Sequence, residues 1–385
     1  MSPLPSNSGS IPSNVPYLDD RVLEYIREVL SSGRLSGDGE MCKRVERQIE
    51  EMFGIRHALL TTSCTHALET AAMLLNLSPG DEVITPSFTF VSAANAILHA
   101  GGKPVFCEID ERRLAIEPSD FARRITPRTR AVMPMHYAGV AASMDEILDI
   151  ARAHRLVVIE DAAQGINARY KNRPLGTIGE LGTYSFHDTK NLMSGEGGAL
   201  VTNDEAYARR AEIIREKGTN RSNFLRGEVD KYTWVDKGSS YVLSDILAAV
   251  LKFQLDELDV IQSRRCAIYR KYMEGLRDLE NKEKLKLPCI PDDCESNYHI
   301  FHILVRSENE RNGLLKQLRS RGVGASFHYI PLHSAPYALS HLGTRDLALP
   351  VTDTISSTLI RLPIYPSLTD PQADFVIEAL HELLR

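Results

Sequence analysis

The stretch "DEVITPSFTFVSAANAILHAGGKPVFCEI", residues 81–109, contains two short apolar runs separated by a segment with helical spacing. The same alternation extends from about residue 55 to residue 205, through runs such as "HALLTT", "LVVIED" and "GALVTN". Strands that alternate with helices in this way pack as a largely parallel sheet covered by helices. The sequence therefore predicts an α/β domain whose ligands bind at the carboxyl ends of the strands.

A second domain is expected downstream, because 385 residues exceed the usual size of one domain. Residues 244–276, "SDILAAVLKFQLDELDVIQSRRCAIYRKYMEGL", have apolar positions three and four apart, which predicts one helix that links the two domains. New strand and helix patterns follow, in "YHIFHILVR" and "NERNGLLKQLRSRGV". We therefore divide the chain into an N-terminal arm (1–17), a large α/β domain (18–255) and a small C-terminal α+β domain (256–385).

Composition argues against several classes of function. The net charge of −6 provides no broad basic face, which disfavours nucleic acid as a partner. No apolar run approaches the roughly 18 residues of a membrane span, and the Ser- and Pro-rich arm lacks the features of a signal peptide. The six scattered cysteines match neither a zinc site nor a disulfide framework. We expect a cytoplasmic protein that binds small molecules and no metal.

Lys190 lies in "SFHDTKNLMSGEGGALVTND", residues 185–204, between a strand-like run and a glycine-rich turn. A lysine on its own is usually a solvated surface residue. At this edge of a sheet, however, partial desolvation would lower its pKa and make the amine a nucleophile toward carbonyls. If that carbonyl belongs to pyridoxal phosphate, the site also needs an anion cradle, a carboxylate and a flat apolar group.

Each of these further requirements has a candidate. Ser63, Cys64 and Thr65 begin a predicted helix, where free N–H groups favour an anion, although the same pattern also suits a simple helix cap. Asp161 directly follows the apolar run "LVVIE", so it lies at the carboxyl end of a strand or caps a helix. Gln164, three residues later, would reach the phenolic oxygen of the cofactor if the turn is helical.

The aromatic candidates for the flat group are Phe88 and Phe90, and either could instead belong to the core. Four histidines near predicted strand edges are interpreted as packed, hydrogen-bonded residues rather than catalysts: His136, His187, His328 and His333.

Several longer strings carry a family resemblance. "PSFTFVSAANA", "VMPMHYAGV", "VIEDAAQG" and "TYSFHDTKNLMSGEGGALVTND" resemble the DegT/DnrJ/StrS family of nucleotide-sugar aminotransferases over nearly the whole chain. "EIIREKGTNRSNFLRGEVDKYTWVDKGSSY" and "FHYIPLH" are similar to the dTDP-4-amino-4,6-dideoxygalactose transaminase branch. The resemblance implies a fold type I transferase dependent on pyridoxal 5′-phosphate. Its large domain would have a mostly parallel seven-stranded sheet between helices, and the smaller C-terminal domain would be α+β.

The resemblance also assigns roles to the candidate residues. It makes Lys190 the Schiff-base lysine, Asp161 the partner of the pyridinium nitrogen and Gln164 the neighbour of the phenolic oxygen. Ser185 and the turn from Ser63 through Cys64 to Thr65 would hold the phosphate, and Phe90 would stack on the ring.

One position departs from the family pattern. Some members place an asparagine of the partner subunit on the phosphate, after a tyrosine, whereas here Val242 follows Tyr241. Ser239 or Ser240 is the substitute that the sequence offers. The resemblance further implies a homodimer with shared active sites.

The implied reaction moves an amino group, by family habit from L-glutamate, to C4 of a dTDP-4-keto-6-deoxyhexose, with pyridoxamine phosphate as the intermediate form of the cofactor. The diphosphate needs cations and the thymine needs a flat surface. Candidates for both, which could equally be solvated surface residues, are Lys217, Asn220, Arg221, Lys231, Tyr232 and Trp234.

Three alternatives stay open from sequence. One is transfer to C3 of the sugar. Another is a sugar dehydratase that uses pyridoxamine phosphate, although that class typically carries histidine at the position of Lys190. The third is a regulatory protein without enzymatic activity. The sequence reports neither the configuration at C4 of the product nor an arginine for the carboxylate of the amino donor.

Overall fold

The computed structural model describes residues 10–385. Within this range, twelve strands are β1 (His57–Thr61), β2 (Glu82–Pro86), β3 (Lys103–Cys107), β4 (Thr129–Val132), β5 (Val157–Asp161), β6 (Arg169–Tyr170), β7 (Arg173–Pro174), β8 (Leu181–Ser185), β9 (Gly198–Thr202), β10 (Cys294–Glu295), β11 (Phe301–Leu304) and β12 (Leu359–Leu362). The α-helices of the first half are α1 (Val22–Ser32), α2 (Glu40–Phe53), α3 (Cys64–Leu74), α4 (Val91–His99), α5 (Pro118–Arg123), α6 (Met144–His154) and α7 (Glu205–Arg215). Those that follow are α8 (Arg221–Leu225), α9 (Asp245–Asp256), α10 (Leu258–Gly275), α11 (Arg277–Asn281), α12 (Glu308–Ser320), α13 (Pro336–His341), α14 (Pro350–Thr358) and α15 (Asp370–Leu383).

A seven-stranded sheet forms the centre of the molecule, in the order β1-β9-β8-β5-β4-β2-β3. All neighbouring strands from β8 to β3 are parallel, whereas β9 runs antiparallel to both β1 and β8. Helices such as α3 and α4 connect consecutive strands and cover the sheet. The predicted α/β architecture with a mostly parallel seven-stranded sheet is confirmed.

Burial on both faces explains why the central strands read as continuous apolar runs. In β5, Val158, Ile159 and Glu160 are completely buried, and every residue of β8 is buried. Both strands run parallel, so their carboxyl ends meet at one edge of the sheet. This edge brings Asp161 and Ser185, the last residues of β5 and β8, to the same side of the molecule.

The helix predicted over residues 244–276 is two helices, α9 and α10, so the prediction of a single linking helix was wrong. The chain leaves helical geometry at Glu257, where φ is −98° and ψ is 10°. The carboxylate of Glu257 accepts hydrogen bonds from Arg21 at 2.6 and 2.8 Å and from Tyr17 at 3.2 Å. The break therefore lies where the N-terminal segment binds the helix pair.

A second hydrophobic cluster forms around α10, α12, α15 and the β11–β12 pair, with Tyr272, Phe301 and Leu318 fully buried in it. Ile11 pairs with Val323 and packs into the same cluster. Residues 1–9 of the predicted arm lie outside the described residues. The domain limits at 17/18 and 255/256 stay a prediction.

None of the helices in residues 10–385 is both long enough and apolar enough to cross a membrane.

Candidate active site

A cavity of about 440 Å³ opens at the carboxyl edge of the central sheet. Eight of the nine predicted cofactor residues line it: Ser63, Cys64, Thr65, Phe90, Asp161, Gln164, Ser185 and Lys190. They come from four separate stretches of the chain, so the fold brings together residues up to 127 positions apart (Ser63 to Lys190).

Lys190 lies in the turn between β8 and β9, where its backbone N–H donates to the carbonyl of His187 at 2.9 Å. Within residues 10–385, no carboxylate lies within 4.0 Å of its ammonium group. Burial lowers the pKa of Lys190 below its usual range, and the Arg361 cation lowers it further, although Cys64 and Asp161 oppose the shift. The amine is therefore predisposed to lose its proton and act as a nucleophile or base.

Asp161 is buried at the end of β5, and its Oδ1 atom accepts a hydrogen bond from the N–H of Ala163 at 3.1 Å. No arginine, lysine or histidine nitrogen in the described chain lies within 4.0 Å of this carboxylate. Burial raises the pKa of Asp161 above its usual range, against the effect of the nearby Lys190 and His136. A buried carboxylate without a cation, facing a cavity, fits a ligand that carries an N–H⁺ group.

The start of α3 forms a cradle for an anion. Ser63 caps the helix by accepting the N–H of His66 at 3.2 Å, whereas the N–H groups of Cys64 and Thr65 have no acceptor among the described residues. The backbone of β9 also comes very close here, since a Cβ atom on Gly198 would lie 2.4 Å from the nitrogen of Cys64. Free N–H groups at the positive end of an eleven-residue helix fit a phosphate.

Two further polar side chains complete the floor of the cavity. Ser185 is buried at the end of β8, and its hydroxyl has no partner in the part of the chain that the structure describes. The side-chain amide of Gln164 is held on both sides, because Oε1 accepts the N–H of Ala138 at 2.7 Å and Nε2 donates to the hydroxyl of Tyr329 at 2.8 Å. One hydrogen of Nε2 stays available for a ligand.

The two candidate aromatic residues have different environments. Phe90 is 57% exposed, caps α4 and lines the cavity. Phe88 is fully buried and packs against Tyr137 and Tyr329, with ring centroids 5.1 and 5.4 Å apart. Phe88 is therefore a core residue, and Phe90 is the one placed to cover a ring.

The four predicted histidines also separate into two groups. His136 donates to the buried carboxylate of Glu160 at 2.9 Å, and His333 contacts the hydroxyl of Ser87 at 2.8 Å. Neither lines the cavity, whereas His187 and His328 do. The interpretation as packed, hydrogen-bonded residues therefore fits the geometry of His136 and His333.

Sequence reasoning missed three cavity residues from the C-terminal half: His299, Tyr329 and Arg361. Arg361 lies on β12, and Nη1 is 2.5 Å from Nε2 of His328. Its Nε is buried without an acceptor, and no carboxylate of the described chain lies within 4.0 Å of the guanidinium. The one available signal was the charge of Arg361 inside the apolar run "LIRLPI".

Comparisons with known proteins agree with this site. The model of the DegT/DnrJ/EryC1/StrS aminotransferase family matches residues 16–381. The chain belongs to this family. The spore coat polysaccharide biosynthesis protein SpsC of Bacillus subtilis is 34% identical over 382 residues, which cover 97% of each chain.

Solved aminotransferases of the same fold superimpose closely. The aminotransferase TlmJ of Streptoalloteichus hindustanus is 30% identical, with a TM-score of 0.90 over 98% of this chain and 99% of that one. Spr1654 of Streptococcus pneumoniae, solved in forms with pyridoxal and pyridoxamine phosphate, has a TM-score of 0.90 over 98% of this chain and 98–99% of that one. At 24% identity this second likeness shows the fold alone. Family, fold and site together support a transaminase of the DegT/DnrJ/EryC1/StrS type that uses pyridoxal phosphate.

The donor set fits this cofactor group by group. The Lys190 amine suits the carbonyl, the unpaired Asp161 carboxylate suits the ring nitrogen, and the free N–H groups at the start of α3 suit the phosphate. No cluster of histidine, cysteine and carboxylate side chains suited to a metal ion occurs among the described residues.

The predicted substrate residues of this family member lie outside the cavity. Lys217 and Arg221 lie 2.8 and 3.7 Å from the carboxylate of Glu216, and Trp234 is 77% exposed. None of the remaining predictions lines the cavity of the single chain either: Asn220, Lys231, Tyr232 and the proposed phosphate residue Ser239. The roles of these residues stay predictions.

Proposed function

We propose that this protein transfers an amino group from L-glutamate to C4 of dTDP-4-keto-6-deoxy-D-glucose, giving a dTDP-4-amino-4,6-dideoxyhexose of galactose or glucose configuration. The observation that carries the proposal is the cavity that unites an unpaired lysine, an unpaired carboxylate and an anion cradle. The sugar substrate is supported by the resemblance in sequence and by the polysaccharide pathway named for SpsC.

Pyridoxal phosphate, when bound, supplies a carbonyl group for the amine and a ring that delocalises negative charge. Lys190 would contribute the amine that condenses with this carbonyl, with loss of water. Once released, the same amine would move a proton between a carbon of the cofactor and C4 of the sugar. The lowered pKa of Lys190 suits both tasks, because the amine must be neutral to attack the carbonyl and to accept the proton.

The groups that would bind the ring nitrogen and the phosphate orient the cofactor and set its charge. Asp161 stabilises the proton on the ring nitrogen, since an ionised carboxylate in a buried site gains most from a cationic partner. The N–H groups of Cys64 and Thr65 hold the phosphate dianion, and Ser185 adds a hydroxyl donor.

Arg361 is the proposed anchor for the carboxylate of the amino donor. It is a cavity cation without an acidic partner in the described chain, and a guanidinium binds a carboxylate with two parallel hydrogen bonds. This assignment supplies the arginine that the sequence did not reveal.

A homodimer with shared sites is proposed from the surface of residues 217–238. The segment exposes Trp234, Leu225 and Val235 at 77, 67 and 51%, more apolar surface than an isolated loop usually shows. It leads directly to Tyr241, whose carbonyl accepts the N–H of Thr62 beside the cradle. A second copy bound here would bring the predicted sugar residues of one chain to the cavity of the other.

We assign the protein to the cytoplasm.

The substrate proposal is tested with the purified protein, L-glutamate and dTDP-4-keto-6-deoxy-D-glucose. Mass spectrometry and NMR of the product should show a 4-amino sugar together with 2-oxoglutarate, and the couplings at C4 decide between galactose and glucose configuration. Formation of a 3-amino sugar from the 3-keto isomer alone would contradict transfer to C4.

For the dimer, light scattering should give twice the chain mass of 43.0 kDa, and Trp234→Asp should lower both the mass in solution and the activity.

A further inference from the structure

His299 is buried two residues before the start of β11, and it lines the same cavity as Lys190. Its Nδ1 atom lies 2.8 Å from Oδ1 of Asn191, the residue that follows Lys190 in the chain. His299 is thus hydrogen-bonded directly to the turn that carries Lys190.

The contacts of Asn191 determine which nitrogen of His299 carries the hydrogen. The Nδ2 atom of Asn191 donates to the carbonyl of Asn297 at 2.8 Å, so the atom that faces His299 is the oxygen. That oxygen also accepts a hydrogen bond from Nε of Arg265 at 2.9 Å. Because a carbonyl oxygen only accepts, Nδ1 of His299 must donate, and Nε2 keeps a free lone pair.

Arg265 holds this arrangement from helix α10. Its guanidinium is fully buried and donates to three neutral acceptors: Oδ1 of Asn191, the carbonyl of Ile364 at 3.0 Å and that of His299 at 3.2 Å. The three hydrogen bonds from the planar guanidinium group hold the backbone of His299 and the side chain of Asn191 in fixed relative positions.

The surroundings of His299 keep its ring neutral. Burial lowers the pKa of His299 well below its usual range, and the titratable groups that face it act in the same direction. Lys190 on the β8–β9 turn, Arg265 on α10 and Arg361 on β12 are the basic groups among them, and His328 beside Tyr329 is the fourth. A neutral imidazole with a free Nε2 is a hydrogen-bond acceptor.

We propose that His299 is a positioning residue for Lys190: in the protein loaded with pyridoxamine phosphate, the free amine of Lys190 would donate one N–H to Nε2 of His299 across the cavity that both residues line, while Asn191 and Arg265 fix the required tautomer. When one N–H of the amine is held by a hydrogen bond, the nitrogen lone pair points in a fixed direction. A lysine that transfers protons needs this fixed orientation. The inference rests on the role of Lys190 in the proposed function.

Histidine-selective ¹⁵N NMR of the full-length protein reconstituted with pyridoxamine phosphate, in which Lys190 is free, tests the tautomer and the contact. The signal of His299 is the one lost in His299→Gln. We expect protonated Nδ1, unprotonated Nε2 and no titration between about pH 5.5 and 9, and we expect Lys190→Met to shift the Nε2 resonance. A protonated Nε2, an ordinary titration or an unchanged resonance in Lys190→Met would overturn the proposal.

Kinetics provide a second test through the amino-donor half-reaction, followed by absorbance. His299→Leu should slow it about tenfold or more, whereas His299→Gln, which retains an acceptor, should stay within about threefold of the wild type. The donor KM should hardly change in either. Arg113→Met is the matched control, because it removes another long-range contact, to Asp293 at 2.8 Å, away from Lys190.

A wild-type rate in His299→Leu, or an equal loss in Arg113→Met, would overturn the proposal. A wild type that transaminates no amino donor would instead contradict the proposed function. The Nε2 resonance of His299 would still decide the contact with Lys190, so the two failures can be distinguished.

Discussion

Nη1 of Arg361 lies 2.5 Å from Nε2 of His328, whose ring stacks on that of Tyr329 with centroids 4.1 Å apart. Burial and the Arg361 cation lower the pKa of His328 to about 2, so the imidazole accepts this bond as a neutral ring. The positive charge of Arg361 is consequently oriented by His328 but not neutralised. A free, oriented cation is available in the cavity for an anionic ligand.

Replacement of Arg361 should weaken binding of the amino donor. Charged hydrogen bonds contribute about 1.5–3 kcal/mol, so Arg361→Gln should raise the donor KM about 10- to 100-fold with little effect on cofactor binding. Steady-state kinetics against L-glutamate measure this effect. The control is Arg306→Gln, which affects an exposed pair with Glu310. An unchanged donor KM in Arg361→Gln would refute the assignment.

Asp161→Asn separates charge from shape at the proposed partner of the ring nitrogen. The asparagine oxygen can still accept the N–H of Ala163, so the fold and cofactor binding should persist. Loss of the preorganised negative charge should reduce turnover roughly 10²- to 10³-fold. Turnover within about threefold of wild type, in a variant shown by absorbance to hold the cofactor, would be inconsistent with this role.

The close approach of Gly198 to the cradle gives a steric prediction. A Cβ atom there would lie 2.4 Å from the nitrogen of Cys64 and 2.5 Å from the carbonyl carbon of Ser63, both backbone atoms. Gly198→Ala should therefore displace the start of α3 and weaken cofactor binding at least about tenfold, measured by absorbance titration.

Gly313→Ala is the matched control for Gly198→Ala. Gly313 lies inside α12 with nothing within 4 Å of an added Cβ, so alanine should stabilise the protein by about 0.5–1 kcal/mol. Thermal unfolding compares the two variants. Equal cofactor affinity of Gly198→Ala and wild type would show that the cradle does not bind the phosphate.

The lowered pKa of Lys190 predicts a pH-dependent stability of the cofactor-free protein. The unfolded chain holds the Lys190 proton more tightly than the folded one, so folding is penalised at neutral pH and stability recovers as pH rises toward the ordinary value of 10.5. Lys190→Met should thus unfold at a higher temperature than wild type at pH 7, and the difference should shrink with rising pH. A variant equally stable or less stable at pH 7 would contradict the shift.

The sequence predicted the residues that the sheet itself positions. Asp161 and Ser185 follow apolar runs, and parallel strands end at one edge, so their convergence with the start of α3 follows from local patterns. His299 and Arg361 could not be found this way, because they reach the cavity through packing of the second hydrophobic cluster against the large domain. The break at Glu257 was missed for a similar reason, since the apolar spacing continues through it and the distant Arg21 binds there.

The most direct test of the account is to find the lysine that bonds to the cofactor. The protein loaded with pyridoxal phosphate is reduced with borohydride, which makes the bond permanent, and its peptides are analysed by mass spectrometry. The account predicts the cofactor on Lys190 and no labelled peptide in Lys190→Ala treated in the same way. Labelling of a different lysine, or equal labelling of Lys190→Ala, would contradict the assignment of this cavity as the active site.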